Sequence, residues 1–235
     1  AQQTLDYLQA LYEKKLCTYP RTDSRYLTDD MLPRVKEILL WASGICDLPI
    51  TDEIYGEQLC NSKKVTDHHA IIPTKAASWQ DLEALPIGER NILKLISRQV
   101  MIATSGPYCY KEADAMISCG GADFKLHLKM PQDFGWKRYT AEKKGGKWFP
   151  GLATGQALTP DTVTVKDGKT QPPKPFTEDT LLSSMERAGV EDMPEDAERK
   201  GLGTPATRAG ILEKLVSTGL VERVKNEKKT VLVPT

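Results

Sequence analysis

Residues 16–28 read Leu-Cys-Thr-Tyr-Pro-Arg-Thr-Asp-Ser-Arg-Tyr-Leu-Thr, and this stretch decides how the chain around it folds. Pro20 disfavours helical backbone at Tyr19 and fixes its own φ, so a preceding helix should end before Tyr19. Side chains two residues apart in an extended segment point to the same side, which predicts a shared face for Tyr19 and Arg21. We therefore predict an extended link that presents a phenol beside a guanidinium.

A phenol beside a guanidinium suits a phosphate group. The phenol oxygen can attack as a nucleophile, and the N–H donors of Arg21 can bind the phosphoryl oxygens and their growing charge. A free tyrosine phenol, with a pKa of about 10, attacks poorly at neutral pH, so such a site also needs activation. Most Tyr-Pro-Arg tripeptides are surface turns, and the tripeptide alone does not decide between the two interpretations.

Helices are predicted on both sides of this link. Residues 4–16 carry apolar side chains at three- and four-residue spacing, with Thr4 as the N-cap. Thr28 is followed by two aspartates, which suits the first turn of a second helix. A further helix is predicted over 89–103, with Ile92, Leu95, Ile96, Val100 and Met101 on its inner face.

A second polar segment carries two adjacent histidines. Residues 67–74 read Asp-His-His-Ala-Ile-Ile-Pro-Thr, which predicts a loop that runs into an extended piece. Neighbouring side chains of an extended piece point to opposite sides, so at most one of His68 and His69 is expected to enter a site. An imidazole that donates to a phosphate oxygen is the functional interpretation, and a polar surface pair is the alternative. A metal site is not predicted, because His127, the remaining histidine, lies far along the chain.

The pattern changes from helical to alternating at Gly106-Pro107. Alternation over 108–118 and 124–130, with Gly120-Gly121 between, predicts a hairpin. Its apolar face is predicted to carry Phe124, Leu126, Leu128 and Met130, and its basic face Lys125, His127 and Lys129. The run 162–165 extends this interpretation to one antiparallel β unit over 108–170. Basic strands with aromatic neighbours suit single-stranded nucleic acid, although aromatic rings that simply cover a thin sheet are the preferred interpretation.

The whole chain is predicted to be α+β and multi-domain. Residues 1–105 form a helical, winged-helix-like domain that bears Tyr19, 106–175 an antiparallel β unit, and 176–235 a second helical unit ending in a helix and hairpin. The boundaries follow the change of pattern at Gly106 and the linker Pro172-Pro173-Lys174-Pro175. The bend at 201–205 is not a P-loop, because no Gly-Lys-Ser/Thr follows it.

Composition limits the function classes. Net charge is zero, which counts against a simple electrostatic DNA binder, and only 108–175 is basic, with eleven basic and seven acidic residues. The five cysteines are odd in number and form no C-x-x-C pair, which favours reduced thiols over structural zinc. No apolar run approaches the roughly 18–20 residues that span a bilayer, so no membrane partner is predicted.

Three segments, in order, resemble the motifs of type IA DNA topoisomerases in the form used by the topoisomerase III branch. They are Tyr-Pro-Arg-Thr-Asp-Ser-Arg-Tyr-Leu at 19–27, the histidine segment at 67–74, and Gly-Leu-Gly-Thr-Pro-Ala-Thr-Arg-Ala at 201–209. The resemblance implies cleavage of one DNA strand through a 5′-phosphotyrosine, passage of another strand, and resealing without ATP. It implies that Tyr19 is the nucleophile, that Arg21 positions the phosphate, and that His68 assists. It also implies contacts to single-stranded DNA from Arg21, Asp23, Ser24, Arg25 and Thr207.

The resemblance further implies a tyrosine-bearing gate domain, a strand-rich hinge domain and part of a helical domain. The family's Toprim domain, with its acidic Mg²⁺ cluster, should lie well before the tyrosine, yet only 18 residues precede Tyr19 and no Asp-x-Asp occurs. We therefore expect a central fragment, inactive alone, whose intact enzyme binds Mg²⁺ in a domain absent from this chain. Its expected partners are DNA and the remainder of the polypeptide, in the bacterial cytoplasm at the nucleoid. The alternative is a non-catalytic module that binds single-stranded DNA or a protein.

Overall fold

The computed structural model describes residues 1–75, 79–140, 151, 153–159, 162, 164–189, 201–226 and 229–235. The chain forms two compact units, Ala1–Thr104 together with Lys174–Thr235, and Ser105–Pro173. Helices and antiparallel strands both occur, which confirms the α+β class. The helical segments predicted as separate domains, 1–105 and 176–235, instead share one unit. None of the described helices is both long and apolar enough to span a bilayer.

Four α-helices lie in the first segment of the larger unit. They are α1 (Gln2–Glu13), α2 (Val35–Cys46), α3 (Trp79–Ala84) and α4 (Ile87–Ala103), with 3-10 helices at Asp29–Arg34, Gly56–Leu59 and Ser62–Lys64. The N-cap predicted at Thr4 is wrong, because α1 already begins at Gln2. The second helix does not begin as an α-helix at Thr28 either. Pro33 lacks an N–H and its ring opposes α-helical backbone before it, so a 3-10 turn precedes α2.

The core of this segment lies between α1, α2 and α4. Leu11, Ile45 and Leu93, one from each helix, are buried together with Leu16 and Cys17 of the link. On α4 the prediction for Leu95 is wrong, because its side chain is 59 % exposed. Val100 and Met101 are buried as predicted, and the buried stripe also contains Glu89, Leu93 and Ser97. The Glu89 carboxylate lies at the edge of this core, 2.5 Å from the ammonium of Lys14, the residue that follows α1.

The second segment of the larger unit is a helix pair with a hairpin. It contains α5 (Glu178–Arg187), α6 (Pro205–Ser217), β3 (Val221–Asn226) and β4 (Lys229–Pro234), with β3 and β4 antiparallel. The predicted helix and hairpin are therefore present at the end of the chain. The winged-helix arrangement predicted for 1–105 is not, because the described residues there hold only the isolated bridges Cys17–Pro73 and Leu27–Cys60. The wing-like hairpin follows α6 instead.

The smaller unit is built on one long hairpin. β1 (Cys109–Cys119) pairs antiparallel with β2 (Ala122–Asp133), and Gly120 and Gly121 make the turn with φ of 59° and 79°. A 3-10 helix at Gly135–Tyr139 follows. No strand occurs beyond β2 in the described residues of this unit, so the predicted β unit ends early. The run 162–165 is not a strand where it is described, and Val165 is 92 % exposed.

Candidate active site

The end of α1 directs the chain into the link that carries Tyr19. Lys15 has a positive φ of 60°. The N–H of Lys15 donates to the Tyr12 carbonyl at 2.8 Å, and the N–H of Leu16 donates to the Leu11 carbonyl at 2.9 Å. These are the two bonds of a Schellman motif, in which glycine usually occupies the left-handed position because a side chain there is strained. This left-handed turn ends α1 before Tyr19, as we predicted from Pro20.

The link is held against the histidine segment by backbone hydrogen bonds. The N–H of Thr18 donates to the Ile72 carbonyl at 3.0 Å, and the N–H of Thr74 donates to the Leu16 carbonyl at 3.1 Å. Farther along, the N–H of Ala70 donates to the Tyr26 carbonyl at 2.9 Å. The link is anchored a second time where the N–H of Leu27 donates to the Leu59 carbonyl, also at 2.9 Å. These bonds bring two of the three motifs side by side.

The ring of Tyr19 contacts two other rings. The His68 ring centre is 4.4 Å from that of Tyr19, with the planes inclined by 45°. The Tyr12 ring from α1 meets Tyr19 edge-on at 5.3 Å and 79°. Tyr19 is half-buried and His68 is exposed. The hydroxyl of Thr22 donates to the His68 carbonyl at 2.7 Å, which fixes the backbone that carries the imidazole.

His69 is the histidine that does not reach Tyr19. Its Nδ1 lies 2.7 Å from the carbonyl oxygen of the next residue, Ala70. The expectation that at most one histidine of the pair enters a site stays a prediction.

The remaining polar residues of the link differ in their partners. Arg21 is exposed and has no hydrogen-bond or ion-pair partner in the described part of the chain. Asp23 is exposed and accepts from the Thr66 hydroxyl at 3.4 Å. The Ser24 hydroxyl donates to the Lys64 carbonyl at 2.9 Å, so it shapes the backbone. Arg21 is thus the cation of this group that is available for a phosphate.

Arg25 reaches the third segment of the chain. Its guanidinium lies 3.1 Å from a carboxylate oxygen of Glu186 on α5, and both side chains are exposed. An exposed ion pair contributes little to stability, about 0–1 kcal/mol, so this contact can exchange for a phosphate at small cost.

Comparison with known proteins assigns the chain to a family. The family model described as DNA topoisomerase matches residues 1–235. The chain belongs to the DNA topoisomerase family. The "DNA topoisomerase 3" of Bacillus licheniformis is 36 % identical over 247 residues, covering 95 % of this chain and 33 % of that protein. The "DNA topoisomerase 3" of Haemophilus influenzae is 36 % identical over 240 residues, covering 95 % of this chain and 36 % of that protein.

These matches support the resemblance to type IA topoisomerases that the three motifs predicted. The chain spans about a third of the length of these curated relatives. The activity of a whole topoisomerase therefore comes to this chain only as a proposal.

The third topoisomerase motif builds a helix start. Thr204 is the N-cap of α6, and the Thr207 side chain closes a capping box with it. The Thr207 hydroxyl accepts from the Thr204 N–H at 2.9 Å. Arg208 is buried, and its guanidinium donates to the carbonyls of Leu202 and Gly203 at 3.0 and 3.2 Å. Thr207 is exposed, yet its hydroxyl has a structural partner that the sequence motif did not reveal.

The described residues do not fit a Mg²⁺ site. No group of three or more histidine, cysteine, aspartate or glutamate side chains there lies close enough to hold a metal ion. Cys17 lies directly before the Tyr19 segment, and burial raises the pKa of its thiol to about 11. That thiol is a packing group and not a second nucleophile.

Tyr12 is the member of this site that the motifs missed. Tyr12 lies on the apolar stripe of α1, which predicted only that its ring packs against other helices. The spacing of apolar residues along a helix does not predict a contact with a ring beyond the helix end, such as that of Tyr19. The signal was its position in the last turn before the Tyr19 link.

Proposed function

We propose that these residues are part of a type IA topoisomerase of the topoisomerase III branch. The enzyme cuts one DNA strand through a 5′-phosphotyrosine at Tyr19, passes another strand through the break and reseals it without ATP. The observation that carries the proposal is the packing of the Tyr19 ring on His68, with the unpaired Arg21 two residues along the same link. Three ordered motifs and the family match support it.

The cleavage step balances without an energy source. The Tyr19 phenol oxygen attacks the phosphorus of the scissile phosphate, and the bond from phosphorus to the 3′ oxygen breaks. The phenol loses its proton, and the 3′ oxygen leaves as a hydroxyl. Because the tyrosyl ester replaces one phosphate ester bond by another, attack of the 3′ hydroxyl on that ester reseals the strand.

Each neighbour of Tyr19 has a distinct part in this step. Arg21 binds the non-bridging phosphoryl oxygens and stabilises the charge that grows on them. His68 holds the Tyr19 ring by its own ring and donates to a phosphate oxygen. Tyr12 packs edge-on against Tyr19 and limits its rotation, which keeps the phenol oxygen in position for attack.

The single strand is proposed to run along the link. Arg21 and Arg25 supply the positive charge, and Asp23 and Ser24 border the path. Thr207 joins the contact from the start of α6, with its backbone-bonded hydroxyl as a positioning group. The bacterial sources of the relatives support a place for the enzyme in the cytoplasm, at the nucleoid.

We propose that Mg²⁺ acts in the intact enzyme on residues outside these 235, in a Toprim domain. The carboxylates described here form no cluster for the ion, so no step above is assigned to it.

The Tyr19→Phe variant of the intact enzyme tests the proposal. It keeps the ring and its packing but lacks the attacking oxygen, so covalent adduct with a labelled single-stranded oligonucleotide should disappear while strand binding persists. Tyr12→Phe is the matched control, because it removes a hydroxyl from the neighbouring ring. A normal adduct yield from Tyr19→Phe would remove Tyr19 from the mechanism, and the absence of adduct from the parent enzyme would favour the alternative of a non-catalytic binding module.

A further inference from the structure

Six side chains meet at the open end of the β1–β2 hairpin. They are Tyr108, Tyr110, Phe134, Trp136, Lys129 and Lys137, and we name them the aromatic–lysine cluster. The Tyr108 ring lies at its centre, 5.3 Å from the Tyr110 ring and 6.3 Å from the Phe134 ring. The turn from Asp133 to Arg138 brings the last two aromatic residues back towards the strands.

The two lysines of the cluster rest on ring faces. The Lys129 ammonium lies 3.2 Å from the centre of the Tyr110 ring. The Lys137 ammonium lies 3.9 Å from the centre of the Tyr108 ring and 5.7 Å from that of Trp136. Neither lysine forms an ion pair with a carboxylate anywhere in the described ranges. Both charges are therefore held in place by aromatic rings and left without a counter-ion.

The other basic side chains on this face of the hairpin contact carboxylates, unlike the two lysines of the cluster. Lys125 lies 3.7 Å from the Asp114 carboxylate. His127 contacts the same carboxylate at 2.8 Å and that of Glu112 at 3.1 Å. The basic face predicted from the sequence thus carries acids from β1. Among its described basic residues only Lys129 forms no ion pair, although Glu112 lies opposite it in the register.

The aromatic rings of the cluster are open to solvent. Tyr110 is 40 % exposed, and Phe134 and Trp136 are each 37 % exposed. Exposed aromatic rings next to cations are the combination on which the bases and phosphates of single-stranded nucleic acid bind. Ring faces next to uncompensated cations fit a ligand that is flat, apolar on its faces and negatively charged at regular intervals.

We propose that the aromatic–lysine cluster binds single-stranded DNA at a site separate from the tyrosine link. Bases stack on the exposed faces of Tyr110 and Trp136, and phosphates pair with Lys129 and Lys137. Duplex DNA fits poorly, because its bases are already stacked on one another. The proposal rests on the proposed function only in taking DNA as the class of ligand. Every residue contact from which it is argued lies within the hairpin unit.

The test measures binding of the 235-residue chain to a fluorescent 12-nucleotide oligo(dT) by anisotropy, over a range of salt concentrations. The double variant Lys129→Ala with Lys137→Ala should bind more weakly, and its slope of log affinity against log salt should fall by about 1.4, at about 0.7 per lost phosphate contact. Lys125→Ala is the matched control from the same face, and its slope should stay unchanged. Circular dichroism of every variant checks that the hairpin folds.

A second variant tests stacking apart from charge. Trp136→Leu keeps an apolar side chain and should weaken binding about fivefold or more with an unchanged salt slope. The readout is reversible binding and not adduct formation, so a failure of the tyrosine mechanism stays distinguishable from a failure here. Unchanged affinity and slope in the double lysine variant would overturn the proposal. A duplex that binds as tightly as the single strand would overturn it as well.

Discussion

At the scale of single residues, the Arg21→Lys substitution distinguishes the effect of positive charge on adduct formation from that of donor geometry. In the intact enzyme we expect Arg21→Lys to slow adduct formation on the order of 10- to 100-fold, because a point charge replaces a two-pronged donor. The measurement is the rate of trapped protein–DNA adduct on a labelled oligonucleotide. Arg34→Lys is the control, since Arg34 is exposed on the 3-10 turn. Its guanidinium forms a long ion pair with Glu37, with 3.8 Å between Nε and the carboxylate oxygen. A parental rate for Arg21→Lys would contradict the assignment.

Thiol reactivity reports on the packing beneath the tyrosine link. Cys17 is 2 % exposed, and burial raises the pKa of its thiol to about 11, whereas Cys109 and Cys119 are exposed. Iodoacetamide at pH 8 should therefore modify Cys109 and Cys119 first and Cys17 only after unfolding. Peptide mass spectrometry with and without guanidinium measures this order. Early modification of Cys17 would mean that the link opens in the folded chain.

The residues of the site were predictable to different degrees. Tyr19 and His68 stand in motifs whose chemistry can be read from residue types, and the structure places their rings together. The partners of Arg25 and Thr207 were not predictable, because Glu186 lies 161 residues from Arg25 and a capping box looks like any threonine pair. Long-range contacts leave no local pattern in the sequence.

At the scale of elements, the Gly-x-Gly of the third motif has a steric reason. Gly201 has a φ of 86°, and a Cβ there would lie 2.4 Å from the Glu186 carbonyl oxygen at the end of α5. We expect Gly201→Ala to lower the free energy of unfolding by about 2–4 kcal/mol, from left-handed strain and backbone overlap. Gly210→Ala is the control, because a Cβ at that exposed position of α6 meets nothing within 4 Å. It should stabilise by about 0.5–1 kcal/mol.

Denaturant unfolding of both glycine variants measures these differences. Equal effects of the two substitutions would mean that the bend at 201–203 is not packed against α5 in solution.

The turn after β2 depends on an ionised carboxylate. The pKa of Asp133 is lowered, first by the hydrogen bond from the Gly135 N–H at 2.9 Å and then by the Arg138 guanidinium at 3.1 Å. Because the pKa is lower in the folded state, the ionised Asp133 carboxylate stabilises the folded chain at pH values above the unfolded carboxyl pKa, about 3.9. This stabilisation is lost as the pH falls through the pKa of the folded state. Trp fluorescence of the chain between pH 6 and pH 2 should therefore change at the acid end, and Asp133→Asn should remove that change.

A transition of the same size in the Asp133→Asn chain would assign the fluorescence change to other carboxylates.

The hairpin was the element that the sequence predicted best. Alternation over 108–130 and the pair Gly120-Gly121 are local signals, and the observed register keeps Leu126 and Leu128 opposite Ala115 and Ala113. The run 162–165 also alternates between polar and apolar residues, but it has no partner strand in the described residues. A strand needs a neighbour, and alternation alone does not supply one.

At the scale of the whole molecule, the 235 residues should bind DNA weakly and not relax it. We expect no relaxation of supercoiled plasmid by the purified chain with Mg²⁺, because the described carboxylates form no ion site and we propose that Mg²⁺ acts on residues outside these 235. Agarose gels with and without a full-length topoisomerase as positive control measure this. Relaxation by the chain alone, with contaminating enzyme excluded by a Tyr19→Phe preparation, would mean that the site is complete.

The joining of 1–104 and 174–235 in one unit was not predictable from pattern. The sequence marks the boundaries at Gly106 and the proline linker, but it does not say which segments meet across an insertion. The unit forms because α6 packs against α1 and because Arg25 meets Glu186, contacts between residues far apart in the chain.

The backbone bonds between the tyrosine link and the histidine segment have a consequence for how this region tolerates change. Main-chain N–H and carbonyl groups are the same for almost every residue type, so the spacing of Tyr19 and His68 should survive many substitutions at Ala70. Thr18 is an exception, because its hydroxyl accepts from the Ile72 N–H at 3.0 Å. Loss or gain of one residue between 61 and 67 would shift the register and turn the imidazole away. Residue types at positions bonded only through the backbone, such as Ala70, should therefore differ among relatives more readily than the length of the segment.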